Sequence, residues 1–284
     1  MGRVEKQVVK QISDNLKGIM NRKSALASVP ITYIGIFYIF PILAWLWTTF
    51  ANPESGMTKR AFSFYTNGIL RTAYLSGISA LLAVVIGSAS SLLQRFSSER
   101  VGWWVTISMV LPLLTGFIAR NYAWLGLLSW LTTGTGIVPT IGNYLVFTRL
   151  GEVIVLGSIF IPFCYFIVMQ GLRNVNINQM EAAETMGLNK LETFYHVVLK
   201  IIYRSVLIAF GVSFVFGAGY FVTPRMIGGG KYNFIGNYIN VLLNDIGSAG
   251  ASALLGSMLL LSLSIPMGLL LFYVSQERKK LSEW

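Results

Sequence analysis

Six long apolar stretches constrain this chain more than any other feature of its sequence. Each is close to the length of about 20 residues that a helix needs to cross the hydrocarbon core of a bilayer. The stretches are, approximately, residues 31–50, 73–93, 101–118, 153–172, 205–224 and 251–275. Only 12% of the 284 residues are charged, whereas about 25% is usual for a soluble domain. The sequence therefore predicts an all-α, polytopic membrane protein with six transmembrane helices.

The distribution of Lys and Arg predicts how these spans are oriented. An even number of spans leaves both termini on one side, and basic residues concentrate in cytoplasmic segments. Of the 22 basic residues, fifteen fall on the side of the termini, six fall on the other side, and Arg120 lies at the end of a span. We therefore expect a multi-pass protein of the cell inner membrane with both termini cytoplasmic and an uncleaved first span. The basic residues form no continuous stripe, so no nucleic-acid partner is expected.

Two predicted outer segments are rich in glycine. Residues 121–148 carry no charge but contain Gly126 and several other helix-interrupting residues, so we expect an outer loop with short helical pieces. Residues 225–250 contain three consecutive glycines and are expected to include a short amphipathic helix near residues 235–243. Such segments can line a cavity or cover its mouth.

The sequence lacks the patterns expected of an enzyme or of a nucleotide or metal site. The nearest candidate for a P-loop, residues 228–232, has no Ser or Thr after Lys231, and its first glycine is replaced by Arg225. His196 is the only histidine, and Cys164 is the only cysteine, which we interpret as a small packed residue. We therefore expect no catalytic residue, no metal and no cofactor on this chain.

Acidic residues are absent from all six apolar stretches, which argues against an ion-coupled transporter. Two alternatives are nevertheless left open by the residues themselves. One is an ATP-independent transporter or channel, and the other is a structural membrane protein that assembles partners.

A short polar segment, residues 178–192, separates the fourth and fifth apolar stretches. We expect Asn178 to cap one short helix and Asn189 to cap a second. Three residues after each cap, Glu181 and Glu192 are placed to accept a hydrogen bond from the backbone N–H of the capping residue. Gly187 supplies the left-handed conformation that ends the first helix. Since Met186 and Leu188 would otherwise be exposed to water, the segment is expected to dock against a partner.

This segment resembles the EAA motif of the membrane permeases of binding-protein-dependent ABC importers. The motif residues that match are Glu181, Ala182, Ala183 and Gly187, followed by Phe194, Val197 and Leu199. Residues 216–224, 226–230 and 235–237 extend the resemblance to the spermidine/putrescine-type permease subfamily, over about residues 31–271. The chain departs from the family where Lys200 and Arg204 replace the usual prolines, so the segment is expected to continue into the fifth span as a straighter helix.

The resemblance implies a type I ABC importer permease bundle of the MetI-like kind, with a cytoplasmic coupling helix. It implies one permease domain over residues 1–284, comprising a cytoplasmic N-terminal segment (1–28), the six-span bundle (31–275) and a cytoplasmic coupling segment (176–200). The residues expected to contact the ATPase are Glu181, Ala182, Ala183, Met186, Gly187 and Leu188. The implied partners are an ABC ATPase dimer that binds ATP and Mg, a second permease in a heterodimer, a substrate-binding protein and membrane lipid.

Polar and aromatic residues at the span ends are the candidates for the substrate path. They are Arg120, Asn121, Tyr122, Trp124, Tyr165 and Tyr220. Aromatic faces attract ammonium groups, although aromatic residues at these positions also serve as membrane-interface anchors. A polyamine such as spermidine or putrescine is the first expectation from the resemblance. Ferric ion, thiamine, phosphonate, opine and amino-acid-like solutes are the alternatives, and the basic outer surface leaves an anionic or zwitterionic solute open.

Overall fold

The computed structural model of the protein describes residues 32–33, 35–40, 43–44, 47, 55–133 and 138–282. These residues divide into two units, Met1–Glu54 and Ser55–Trp284. In the first unit, a π-helical turn spans Gly35–Ile39. Nearly half of the predicted first span and the whole segment 1–28 lie outside the described residues, so both stay predictions.

The described part of the second unit is helical apart from short connections. Its helices, numbered in chain order, are α1 (Ser55–Phe96), α2 (Glu99–Leu114), α3 (Phe117–Thr133), α4 (Val138–Leu145), α5 (Arg149–Leu172), α6 (Ile177–Thr185), α7 (Lys190–Gly219), α8 (Val222–Met226), α9 (Ile235–Asn240) and α10 (Ala249–Ser282).

Four of these helices are long and apolar enough to cross a membrane. They are Lys59–Phe96 in α1, α5, α7 and Ala249–Gln276 in α10. They contain the predicted second, fourth, fifth and sixth spans, although α7 ends at Gly219 because Tyr220 is extended. Among the described residues, the bent pair α2 and α3 could add a fifth span, and the count of six stays a prediction.

The prediction that the third span, residues 101–118, is one continuous helix was wrong. The chain bends by 105° between α2 and α3, because Thr115 adopts an extended conformation before Gly116. Residues 121–133, predicted as part of an outer loop, continue α3 as regular helix. Gly126 does not interrupt this helix, because its leucine-rich neighbours outweigh a cost of about 1 kcal/mol for a helical glycine.

Helix α5 is the most buried of the long helices and packs closely on α1. Leu156, Ile159 and Cys164 contribute to its buried face. A Cβ atom on Gly157 would lie 2.7 Å from Cδ2 of Leu82 on α1, so the glycine allows the two helices to approach. The Ser91 hydroxyl on α1 also donates a hydrogen bond to the Tyr165 carbonyl on α5 at 3.1 Å. Small residues thus bring the two backbones together, as is common between membrane helices.

The second outer segment follows its prediction. After Tyr220, the chain forms α8 and the glycine run, then α9, which continues as a π-helical turn over Val241–Asp245. Ile235 and Leu242 are buried against α1 and α10. The segment is therefore anchored to the helix bundle by its apolar side.

Candidate coupling segment and substrate path

Helix α6 begins two residues earlier than the sequence predicted. Its N-cap is Asn176, whose side-chain oxygen accepts a hydrogen bond from the Asn178 N–H at 3.0 Å. The prediction that Asn178 caps this helix was wrong, because Asn178 lies within the first turn. Asn176 was not predicted as the cap, although an asparagine directly before the first helical residue, Ile177, is itself a capping signal.

The end of α6 and the start of α7 are closed by local hydrogen bonds. Gly187 has a φ of +94°, and its N–H donates to the Glu184 carbonyl at 3.0 Å while the Leu188 N–H donates to the Ala183 carbonyl at 3.2 Å. These two bonds form the Schellman arrangement that ends many helices. Asn189 and Glu192 then form the reciprocal cap predicted from the sequence, with both bonds at 2.9 Å.

Helix α7 continues from this cap to Gly219 without interruption. It is a single helix of 30 residues, although Phe194–Leu199 is π-helical. The expectation that this segment continues into the fifth span is therefore confirmed, and its greater straightness than in other permeases stays a prediction. A displacement of the cap at Asn189 would be transmitted along a continuous helix into the bundle.

The coupling segment presents both apolar and charged side chains to solvent. Met186 is 81% exposed, and Glu181 and Ala182 are also exposed, whereas Leu188 is half-buried. Ala183 is 9% exposed and faces the rest of the protein. Leu191 is as exposed as Met186 and was missed, although it is an apolar residue just after the Asn189 cap. The most exposed large apolar side chains of this segment are therefore Met186 and Leu191.

Three of the six candidate substrate-path residues lie together. The Asn121 side-chain amide donates to the Tyr220 hydroxyl at 3.2 Å and to the Phe117 carbonyl at 2.8 Å, and its oxygen accepts from the Thr223 hydroxyl at 2.7 Å. We call Asn121, Tyr220 and Thr223 the interior polar cluster. It joins α3, the end of α7 and α8, and Asn121 and Thr223 are fully buried within it.

Arg120 lies beside this cluster on an aromatic surface. Its guanidinium is 5.0 Å from the centroid of the Phe117 ring, and Nη1 donates to the Ile159 carbonyl at 3.4 Å. The Tyr220 ring packs edge-on against Phe117 and Phe160, with centroid distances of 6.2 and 6.4 Å. This arrangement can hold a cation by cation–π attraction, and it holds the arginine in this conformation.

The other three candidates lie elsewhere. Tyr122 is 63% exposed, and Trp124 packs on an apolar cluster that includes Leu128 and Ile227. Tyr165 is buried, and its hydroxyl lies 3.0 Å from the Thr106 hydroxyl on α2. The structure therefore does not bring these three side chains to the interior polar cluster.

Glu152 is a buried acidic residue that the sequence did not predict as part of any site. It directly precedes the apolar stretch 153–172 and lies outside the predicted fourth span, but α5 begins at Arg149 and includes it. The side chain is 0% exposed. Its helical spacing to Leu156 and Phe160, which are also buried, places all three on one face, and that spacing was the signal available in the sequence.

The described residues hold no group of three or more His, Cys, Asp or Glu side chains suited to a metal ion. Cys164 is buried, and its sulfur lies 3.0 Å from the Ser213 hydroxyl. Its contacts are those of a packed residue.

The fold is shared with the membrane-spanning subunits of solved ABC transporters. The chain superposes on a bacterial transporter involved in import of the acidic polysaccharide alginate with a TM-score of 0.67 at 14% identity, covering 92% of this chain and 99% of that one. For the methionine transporter MetNI, the TM-score is 0.57 at 16% identity, with coverages of 77% and 96%. The chain therefore has the fold of the membrane-spanning subunits of these transporters.

Residues 19–280 match the sequence model of the binding-protein-dependent transport system inner membrane component family, and the chain belongs to that family. It is therefore an inner-membrane permease subunit of an ABC importer, in a family of transport components.

Curated relatives differ in the solutes that their names give. The inner membrane ABC transporter permease protein YdcU of Escherichia coli is 24% identical over 79% of this chain and 80% of its own length. The spermidine/putrescine permease PotB of Salmonella typhimurium is 22% identical over 86% and 90%. A putative ferric transport permease, FbpB 1 of Haemophilus influenzae, is 24% identical over 88% of this chain, which spans 42% of that protein.

Proposed function

We propose that this permease forms half of a translocation path for a polyamine such as spermidine or putrescine. The solute is delivered by a substrate-binding protein, and the chain acts with a second permease in a heterodimer. The aromatic surface of Phe117, Phe160 and Tyr220 supports a cationic solute, because it already accepts the Arg120 guanidinium. Relatives named for spermidine and putrescine support the same class. Ferric ion is the second candidate, because other relatives are named for ferric transport.

Coupling to an ABC ATPase dimer is proposed to occur through the exposed surface of the coupling segment. The observation that carries this proposal is the continuity of α7 from the Asn189 cap to Gly219. The proposed contact residues are Glu181, Ala182, Met186, Gly187 and Leu188, whereas Ala183, which the sequence predicted as a sixth, faces the bundle. With both termini cytoplasmic, this segment faces the ATPase, and ATP and Mg are bound by that partner. Helix shifts of this kind transmit conformational changes between subunits.

Reconstitution tests the function directly. The chain is purified with the ATPase, second permease and binding protein encoded beside it, and uptake of labelled spermidine or putrescine into proteoliposomes is measured. We expect uptake to require both ATP and the binding protein. Uptake without ATP would favour a channel or secondary transporter, and uptake of ferric ion with no polyamine uptake would favour the second candidate.

A further inference from the structure

Glu152 carries a buried carboxyl group that has no hydrogen-bond partner among the described residues. Neither of its side-chain oxygens accepts a hydrogen bond from any described residue, and the side chain is wholly inaccessible to solvent. A buried polar group without a partner is costly, and a buried charge is costlier still. Such a group in a transport protein calls for a partner that is absent from this conformation.

The nearby arginines do not supply that partner. Arg71 on α1 interacts electrostatically with Glu152, but its Nη1 donates to the Lys231 carbonyl at 3.4 Å. Arg149, one turn before Glu152, has its guanidinium 5.2 Å from the centroid of the Tyr232 ring. Both arginines therefore contact the segment that follows the glycine run.

We propose that Glu152 binds an ammonium group of the transported solute, an inference that rests on the proposed polyamine function. An ammonium group is a compact donor of three hydrogen bonds, and a carboxylate is its strongest acceptor among side chains. Phe160 lies two turns further along the same face of α5, about 12 Å away along the helix axis. It packs edge-on against the Tyr220 ring, in the aromatic surface that can hold a second cation once the Arg120 guanidinium moves off Phe117. A linear diamine or triamine carries cationic groups separated by apolar linkers. One cationic group would therefore meet Glu152 while another meets the aromatic surface at Phe160.

The glycine run covers Glu152 in this conformation. A Cβ atom on Gly228 would lie 3.3 Å from Oε2 of Glu152, so the loop backbone closes directly over the carboxylate. Gly229 and Gly230 have φ values of +61° and +74°, which glycine adopts without strain. Access to Glu152 therefore requires displacement of this loop, which would expose the site to a solute delivered from the outer side.

The test compares three variants in the reconstituted complex. Uptake of labelled putrescine and spermidine is measured at saturating, solute-loaded binding protein. E152Q keeps the shape but removes the charge, and we expect uptake to fall about tenfold or more through loss of a charge-assisted bond. The concentration of binding protein that gives half-maximal uptake should not change, because docking is intact.

E152D should give uptake between that of E152Q and that of the unmodified protein. D245N, which neutralises an exposed acid of the second outer segment, is the matched control and should have no effect.

R71Q distinguishes substrate binding from a structural ion pair. If Glu152 served only as the counter-ion of Arg71, then R71Q and E152Q would reduce uptake equally, and that result would overturn the inference. Under the inference, R71Q leaves uptake unchanged or increases it, because a competing cation is removed. Unchanged uptake in E152Q would also overturn the inference, and if E152Q does not assemble, unchanged uptake in E152D would do so. A complex that takes up no polyamine even without substitution would instead refute the proposed substrate.

Discussion

Gly87 on α1 lies directly against Cys164 on α5. A Cβ atom at position 87 would be 2.6 Å from the Cβ atom of Cys164 and 2.9 Å from the Tyr165 amide nitrogen. Contacts this short are possible only because the glycine has no side chain, so the spacing of α1 and α5 depends on Gly87 as well as on Gly157.

Gly87→Ala is therefore expected to destabilise the protein. The added methyl group meets backbone and Cβ atoms that cannot rotate away, and overpacking of this kind costs about 1–3 kcal/mol. Thermal unfolding of the purified complex in detergent measures the effect. Gly77→Ala is the control on the same helix, because a Cβ atom there would meet only the Phe214 ring, at 4.0 Å. Equal unfolding temperatures for the two variants would contradict the prediction.

Gly187→Val is expected to uncouple ATP hydrolysis from uptake. The left-handed backbone at this position disfavours a β-branched residue, so the end of α6 and the orientation of Met186 should change while the spans stay inserted. The ratio of solute transported to ATP hydrolysed is the measurement. Gly187→Asn should retain more coupling, because asparagine tolerates this conformation. Full coupling in the valine variant would exclude the proposed role of this turn.

Met186→Cys is expected to crosslink to cysteines introduced into the ATPase. The Met186 side chain is among the most exposed apolar side chains of the coupling segment and is therefore placed to enter a partner. Ala183→Cys provides the control, since position 183 is buried against the bundle. Crosslinking is read on gels with and without ATP. Capture of the ATPase through position 183 and not through position 186 would reverse the assigned orientation of α6.

Asn121→Leu is expected to destabilise the end of the bundle where α3, α7 and α8 meet. It removes the bonds to Tyr220 and Thr223 and leaves the buried Thr223 hydroxyl without that partner, at a cost of about 1–3 kcal/mol. Denaturant or thermal unfolding measures the loss, and uptake should fall with it. Tyr122→Leu changes the next residue, which is largely exposed, and should be close to neutral. A stable Asn121→Leu protein with normal uptake would show that the interior polar cluster is dispensable.

Sequence predictions that depend on neighbouring residues were more accurate than those that depend on contacts between separate helices. The Asn189 cap and the Gly187 turn were predicted correctly, because both depend on residues within one helical turn. The predicted cap at Asn178 was wrong by two residues. Either asparagine fits the local capping pattern, and α6 begins directly after Asn176. The bend after α2 was missed because its signals, Thr115 and Gly116, are weak in a uniformly apolar stretch.

The sequence by itself determined the apolar helices, because transfer of apolar residues into lipid is a local effect. It also determined the exposed, capped coupling segment, because nearby residues form the hydrogen bonds that the N–H and C=O groups at helix ends require. Only the tertiary structure decided that Asn121 meets Tyr220 and Thr223, about 100 positions away in the chain. It likewise decided that Glu152 is buried beneath Gly228. These contacts depend on how separate helices approach and rotate against one another, and a periodic apolar pattern leaves that rotation unspecified.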